Sequence, residues 1–289
     1  MKLVTFQCRG RQAIGKVVGS QVIDLPASDG ALPDTMLALL QGGPALLARA
    51  EAVDPDHAVT YPFADVRLSA PVPNPPKFLA IGMNYREHVK EAIAAGLQVP
   101  DTQVWFNKQV SCVNGPYDPV HLPRVSDRLD YEAELGVVIG RRCRHVSAAE
   151  APAVVAGYVV CNDVSVRDWQ LRSPTMTLGK SFNTHGPFGP WIVTPDEIGD
   201  PHRLPLRMYV NGEQRQAVNT GEMVHDIWQQ IAYLSTVMTL EPGDVLATGT
   251  PSGVGAARKP PSFLKVGDVL RVEIDGLGHI ENIVVPEPV

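Results

Sequence analysis

Glu132 and Glu134 stand one residue apart in Asp130-Tyr131-Glu132-Ala133-Glu134-Leu135-Gly136-Val137-Val138-Ile139-Gly140, a run that otherwise reads as a strand entering an apolar core. On a strand, residues i and i+2 share a face, roughly 6.5–7 Å apart. Two carboxylates so placed repel each other unless a cation or a proton lies between them. Taken alone, such a pair is more often a solvated strand face. Asp163, which closes Gly157-Tyr158-Val159-Val160-Cys161-Asn162-Asp163, offers a third oxygen donor. Three carboxylates converging from neighbouring strands make a hard oxygen site, suited to Mg²⁺, Mn²⁺ or Ca²⁺ and poor for zinc. A divalent ion there would leave one negative charge over, so an anionic substrate also calls for a nearby cation. Lys180, in Leu178-Gly179-Lys180-Ser181-Phe182, and Arg167, four residues beyond Asp163, are the candidates. Spacing does not decide whether these groups converge. Three unrelated surface acids is the competing reading.

His88 and Glu91 form the second pair. At i and i+3 they share a helix face, so the carboxylate could orient an imidazole that acts as a base; a surface histidine beside a solvated acid is the plain alternative. Other motifs fail. Gly179-Lys180-Ser181 resembles the end of a phosphate-binding loop, but Pro174 occupies the required upstream glycine position. Gly249-Thr250-Pro251-Ser252-Gly253-Val254-Gly255 lacks a lysine and reads as a tight turn whose backbone could approach a ligand, or as a plain hairpin turn. No G-x-S-x-G or H-E-x-x-H occurs, so serine-hydrolase and zinc-protease chemistry have no anchor.

The elements that must carry these residues are short. Twenty-six prolines and 25 glycines in 289 residues suit many strands and turns. Strand-like runs cover Lys2–Phe6 and Gly15–Ile23, a helix is predicted over Thr35–Leu40, and Ala45–Ala50 is an Ala/Leu-rich segment. Ala70-Pro71-Val72-Pro73-Asn74-Pro75-Pro76-Lys77 favours extended chain and places a domain boundary between residues 1–70 and 71–289. Phe78–Ile81 reads as a strand. Asn84–Ala95 reads as a helix with Asn84 as cap and Glu87 reaching back in a capping box. Strands follow at Glu132–Ile139, Gly157–Cys161, Trp191–Thr194 and Leu206–Val210. The apolar period of Val224, Ile227, Trp228, Ile231, Leu234 and Val237 predicts a helix over Met223–Met238. Hairpin-like strands at Asp244–Thr248, Val269–Ile274 and Gly278–Val284 end the chain. The fold class is α+β, mostly β, without the regular alternation of a doubly wound sheet.

Composition bounds the partners. A formal charge of −6 with no basic stripe argues against nucleic-acid binding, and no apolar run reaches membrane-spanning length. The start, Met1–Gln7, reads as a strand and not as a signal peptide. Cys8, Cys112, Cys143 and Cys161 are scattered without a C-x-x-C pair, which suggests neither disulfides nor zinc and fits a reducing cytoplasm.

In order along the chain, these pieces resemble the fumarylacetoacetate hydrolase family. They are Ile81-Gly82-Met83-Asn84-Tyr85 with His88 and Glu91; Asp130-Tyr131-Glu132-Ala133-Glu134-Leu135; Asn162-Asp163-Val164-Ser165-Val166-Arg167-Asp168-Trp169-Gln170; Gly179-Lys180-Ser181-Phe182; Val210-Asn211-Gly212-Glu213; and Leu240-Glu241-Pro242-Gly243-Asp244 running into Gly249–Gly255. The resemblance spans about Lys77 to Val284. It departs at Asn183, where aspartate is frequent, and at His225, in place of a common aromatic or apolar residue.

The resemblance implies a mixed β-sandwich or β-roll catalytic domain with a small N-terminal α/β accessory domain, and a homodimer. By motif position, Glu132, Glu134 and Asp163 would hold Mg²⁺ or Mn²⁺, with Ca²⁺ able to substitute in a crystal. Lys180 would hold or polarise the substrate. His88 and Glu91 would be a catalytic dyad on a lid that orders when ligand binds, and Arg167, Gln170 and Thr250 would contact the substrate. The implied substrate is a small 2-oxo or 1,3-dicarbonyl acid. The first expectation is hydrolytic cleavage of a carbon–carbon bond in an acylpyruvate or fumarylpyruvate-like 1,3-diketo acid, through an enolate stabilised by the cation and Lys180. The alternatives are decarboxylation of an oxaloacetate-type acid, or isomerisation or hydration of an unsaturated 2-oxo diacid. A non-catalytic binding protein is a further reading, against which the His88–Glu91 pair counts.

Overall fold

The computed structural model describes every residue except Ala95 and Leu97. Two sheets packed face to face organise the chain. The larger has 12 strands and runs, in spatial order, through Thr60–Pro62, Gln21–Asp24, Arg11–Val18, Lys2–Cys8, Gly186–Val193, Val155–Asn162, Ala133–Ile139, Val245–Ala247, Phe78–Gly82 and Val104–Lys108, with Arg67–Ser69 and Val113–Asn114 off this path. The smaller has five strands, Glu213–Asn219, Pro205–Val210, Val269–Ile274, Gly278–Pro286 and Val120–Leu122. Leu129–Asp130 pairs with Ser165–Val166 in a separate two-stranded ribbon.

The core follows from the period-2 pattern of the central strand. Ala133, Leu135, Val137 and Ile139 point one way, into a cluster shared with Leu206, Met208, Leu270, Val272 and Ile280 of the smaller sheet. Val138 points the other way, into a second cluster with Val159, Phe188 and the N-terminal residues Leu3, Ile14, Leu39 and Leu40. With both faces covered, every residue of Ala133–Ile139 is buried. Glu134 lies on the same face as Val138, near the strand's N-terminal end. There the apolar layer gives way to polar groups.

The N-terminal strands continue the large sheet. Lys2 and Leu3 pair with Val193 and Ile192, and Thr5–Gln7 pair with Ser69–Arg67. The proline-rich stretch carries the chain from Arg67–Ser69 into Phe78–Gly82. The helix expected over Thr35–Leu40 forms as Met36–Gln41, with the Thr35 hydroxyl accepting from Ala38 N–H, and the Ala/Leu-rich segment lies in the helix Gly43–Glu51.

Four local expectations are corrected. The run Gly15–Ile23 is a hairpin, not one strand: Gly19 adopts φ +56° between Arg11–Val18 and Gln21–Asp24. The helix expected over Met223–Met238 spans Ile227–Val237, because Asp226 caps it in a reciprocal arrangement with Gln229. The segment expected to be hairpin-like at Asp244–Thr248 contributes Val245–Ala247, which pairs parallel to Phe78–Gly82. Finally, Asn84 is not a helix cap. The helix begins at Arg86 and is described to Ala94, the expected end at Ala95 lying outside the described residues. The fully buried Asn84 side chain instead donates to the carbonyls of His225 and Thr248, at 3.0 and 2.8 Å, and accepts from His225 N–H at 2.9 Å. Glu87 pairs with Lys90. Among the described residues no helix is long and apolar enough to cross a membrane.

Candidate active site

Strand register brings the three acids together. Ala133–Ile139 and Val155–Asn162 are antiparallel with Ala133 opposite Asn162 and Glu134 opposite Cys161. One step further, Asp163 N–H donates to the Glu132 carbonyl at 2.9 Å, so the acids at both strand ends lie side by side. One carboxylate oxygen from each of Glu132, Glu134 and Asp163 lies within 4.8 Å of the others, and all three residues are buried.

Three cations surround them. Lys180 Nζ donates to Glu132 Oε2 and Asp163 Oδ2, both at 2.7 Å. Arg167 Nη1 donates to Glu132 Oε1 at 2.5 Å and to Gln170 Oε1 at 3.0 Å, while its Nε reaches Asp130 Oδ2 at 2.8 Å. Lys108, at the end of Val104–Lys108, donates to Asp163 Oδ1 at 2.7 Å and to the Lys180 carbonyl. With Asp130 counted, four carboxylates face three cations and one negative charge is left over.

That excess falls on Glu134. Burial works against ionisation of Glu132, but the charges of Lys180 and Arg167 outweigh it and hold its carboxyl below the usual range. For Glu134, burial and then the charges of Asp163 and Glu132 push the carboxyl well above that range. Its Oε2 accepts from Gly249 N–H at 2.8 Å, whereas its buried Oε1 has no hydrogen-bond partner among the described residues. A buried carboxylate oxygen without a partner, flanked by two further hard oxygen donors, fits Mg²⁺ or Mn²⁺. The residues present therefore suit the ion that the resemblance implies.

His88 and Glu91 meet across one helical turn. His88 Nδ1 lies 3.1 Å from Glu91 Oε2, and Glu91 Oε1 accepts from Gly253 N–H at 3.0 Å. The helix Arg86–Ala94 carries the pair, and Glu91 ties it to the same loop whose Gly249 N–H holds Glu134. The loop 249–255 connects the parts: Gly249 binds Glu134, Gly253 binds Glu91 and Gly255 binds Asp130. Gly249, at φ +100°, must be glycine twice over, since a Cβ there would lie 2.7 Å from Asn84 Cβ. Thr250 accepts from Gln216 Nε2 at 2.9 Å, and Gln170 Nε2 makes a long contact with Met176 Sδ at 3.6 Å. Gly179 lets the turn before Lys180 pack on Gln170, whose backbone nitrogen a Cβ would meet at 2.1 Å.

The structure thus gathers Glu132, Glu134, Asp163, Lys180, Arg167 and Gln170 around one point, with His88, Glu91 and Thr250 attached through the loop 249–255. Sequence reasoning missed Lys108, a single lysine ending an apolar strand. It quoted Asp130 without giving it a role. The short spacing of Asp130 and Glu132 was the available signal for the second, and none marked the first.

Lys108 makes a prediction with two opposite signs. It and Asp163 are both buried, so Lys108→Met leaves a buried carboxylate short of its partner and should cost about 3 kcal/mol or more of stability in chelator. The same change removes a competitor for Asp163, so Mn²⁺ should bind more tightly. Urea denaturation with chelator and calorimetric Mn²⁺ titration measure the two effects separately.

A family model described as fumarylacetoacetate (FAA) hydrolase C-terminal matches residues 77–285. The chain belongs to the fumarylacetoacetate hydrolase family. Members of this family are enzymes, and among the relatives are proteins named as tautomerases, hydrolases and isomerases. The human protein named oxaloacetate tautomerase FAHD2A, mitochondrial, is 44% identical over 293 residues, covering 99% of this chain and 92% of that protein. The fumarylacetoacetate hydrolase structure from Exiguobacterium antarcticum superposes with a TM-score of 0.87 at 38% identity, covering 99% of this chain and all of that one. Maleylpyruvate hydrolase from Sphingobium sp. SYK-6, solved with manganese(II) and pyruvate, gives 0.82 at 35% identity with full coverage of both chains. The mostly-β mixed architecture of this family member is therefore the one its solved relatives share.

Proposed function

We propose that this enzyme exchanges a proton on the carbon beside the keto group of a small 2-oxo dicarboxylic acid, with oxaloacetate-type keto–enol tautomerisation as its reaction. One observation carries the reading: an acid cluster with an uncompensated carboxylate and a His88–Glu91 dyad are tied to the same loop. Relatives 42% and 44% identical over 99% of the chain are named as oxaloacetate tautomerases, which supports the substrate class.

Glu132, Glu134 and Asp163 would hold Mg²⁺ or Mn²⁺, whose charge, when bound, draws in the oxygens of a 2-oxo acid and acidifies the adjacent C–H. The remaining work belongs to the side chains. Glu91, an acceptor when ionised, holds the hydrogen on His88 Nδ1 and leaves the Nε2 lone pair free. His88 Nε2 takes the proton from the carbon, the C–H electron pair becomes the carbon–carbon double bond of the enol, the carbonyl π pair moves onto the former keto oxygen, and that oxygen takes the proton back from His88 Nε2. Lys180 uses two of its three N–H donors on Glu132 and Asp163 and keeps one for the oxygen on which charge develops. Arg167 Nη2 is buried without a partner among the described residues, and with Gln170 and Thr250 we assign it to the substrate carboxylate.

Hydrolysis of an acylpyruvate is the second reading, supported by the likeness to maleylpyruvate hydrolase. It requires the same base to deprotonate a water. The test monitors decay of enol-oxaloacetate absorbance against acylpyruvate and maleylpyruvate cleavage, each with Mg²⁺, Mn²⁺ or chelator. Faster enol–keto exchange with the cation, lost on chelation, is expected. A higher kcat/KM for cleavage would replace tautomerisation by hydrolysis, and no turnover of either kind would overturn both. A homodimer in a reducing compartment is proposed alongside; the four cysteines are free thiols, and sedimentation measures the assembly.

A further inference from the structure

We infer that Gln216 is a positioning residue that makes the Thr250 hydroxyl a hydrogen-bond donor towards a substrate oxygen. This deepens, and rests on, the reading that Thr250 contacts the substrate. Gln216 lies on Glu213–Asn219, an edge strand of the smaller sheet whose other residues are exposed or half-buried. It is buried, and the register shifts beside it, with Met208 opposite Gln216 but Tyr209 opposite Gln214. Such a bulge re-aims side chains. Here it accompanies a carboxamide turned into the core, in contact with the start of the acidic strand.

The orientation of that carboxamide is fixed by partners that have only one role each. Ala133 N–H, between the two glutamates, can only donate, and it meets Gln216 Oε1 at 3.0 Å. The Pro251 carbonyl can only accept, and it meets Nε2 at 2.8 Å. Nε2 therefore carries the hydrogens, and its second one goes to Thr250 Oγ1 at 2.9 Å. With its oxygen accepting from Gln216, the Thr250 hydroxyl must donate elsewhere. Among the described residues no acceptor takes that hydrogen, although Thr250 is buried. A buried donor is costly to leave unpaired. Thr250 directly follows Gly249, which is held by Glu134, so the free donor belongs to the same wall as the acids. A carboxylate or keto oxygen satisfies it. A ligand group that can only donate, such as an ammonium, does not.

The carboxamide thus ties the start of the acidic strand to the loop 249–255 and sets the polarity of Thr250. Gln216→Glu keeps the shape and the acceptor for Ala133, but its second oxygen would accept from the Thr250 hydroxyl and turn the donor away from the ligand.

The test is a double-mutant cycle on the Mn²⁺-loaded enzyme, with oxalate affinity measured by calorimetry and Mn²⁺ affinity measured beside it. Gln216→Glu and Thr250→Val should each weaken oxalate by about tenfold or more, the size of a lost charge-assisted hydrogen bond. The double variant should be no weaker than the worse single one, and Mn²⁺ affinity should be unchanged in all three. Gln216→Met, of similar length and without polar side-chain hydrogens, leaves the Thr250 hydroxyl unheld and should weaken oxalate by less, which supplies a second arm should the glutamate variant fail to fold. Additive losses, or wild-type oxalate affinity in the Gln216 variants, would overturn the positioning role. Wild-type affinity in Thr250→Val would instead show that Thr250 does not touch the ligand and so sink the reading beneath it.

Discussion

Replacing His88 by alanine is expected to lower kcat by about 10²–10⁴-fold, the usual weight of a positioned general base, while leaving Mn²⁺ affinity close to wild type. The two halves of the expectation separate because His88 makes its hydrogen bond to Glu91 and none to the acid cluster. Glu91→Gln should fall in the same direction by less. A glutamine can still accept from Gly253 N–H and hold the helix against the loop, but it weakens the orientation of the imidazole. Steady-state kinetics on oxaloacetate, with Mn²⁺ titration of each variant, decides the matter. Unchanged turnover in His88→Ala would remove the base from the mechanism, and a parallel loss of Mn²⁺ would reduce the dyad to a structural role.

Glu134→Gln is expected to weaken Mn²⁺ by at least about 100-fold, more than the loss typical of a residue that only supports a ligand, yet to stabilise the cation-free protein. The amide keeps an acceptor for Gly249 and removes the charge that burial, Asp163 and Glu132 all oppose. The sign with pH follows. Because the folded state holds the Glu134 proton more tightly than the unfolded chain does, this group's contribution is present below the ordinary carboxylate pKa. It is lost as pH rises through the higher folded value. Wild type in chelator should therefore lose stability across that window, and Glu134→Gln should show a flatter profile. Mn²⁺ must displace the same proton, so its affinity should rise with pH and its binding should release a proton. Urea denaturation at several pH values and calorimetry in buffers of different ionisation enthalpy measure both. A wild-type stability profile that does not change between chelator-treated protein and Glu134→Gln would contradict the assignment.

Much of the site was legible because its chemistry is written in short spacings. Glu132 and Glu134 share a strand face whatever the sheet does, and His88 meets Glu91 across one helical turn by geometry alone. The central strand and the order of the motifs were equally local matters. Local cues also misled where a longer-range partner was stronger. Asn84 has the type and position of a cap, but buried carbonyls of His225 and Thr248 claim its side chain, 141 and 164 residues away in sequence. The helix expected from Met223 starts at Ile227 because a reciprocal cap at Asp226 outweighs the apolar period of Val224.

The sequence by itself determined which donors exist, which pairs share a face, and that the acids outnumber any single cation nearby. Only the tertiary structure decided that Asp163 lies beside Glu132, through the register of two strands, and that Lys108 and Gln216 enter the site from the edge of one sheet and the edge strand of another. The physical reason is that charge compensation and hydrogen-bond polarity depend on distance in space. A lone lysine at the end of an apolar strand and a lone glutamine on an exposed one carry no sign of what they will face until the sheets close over them.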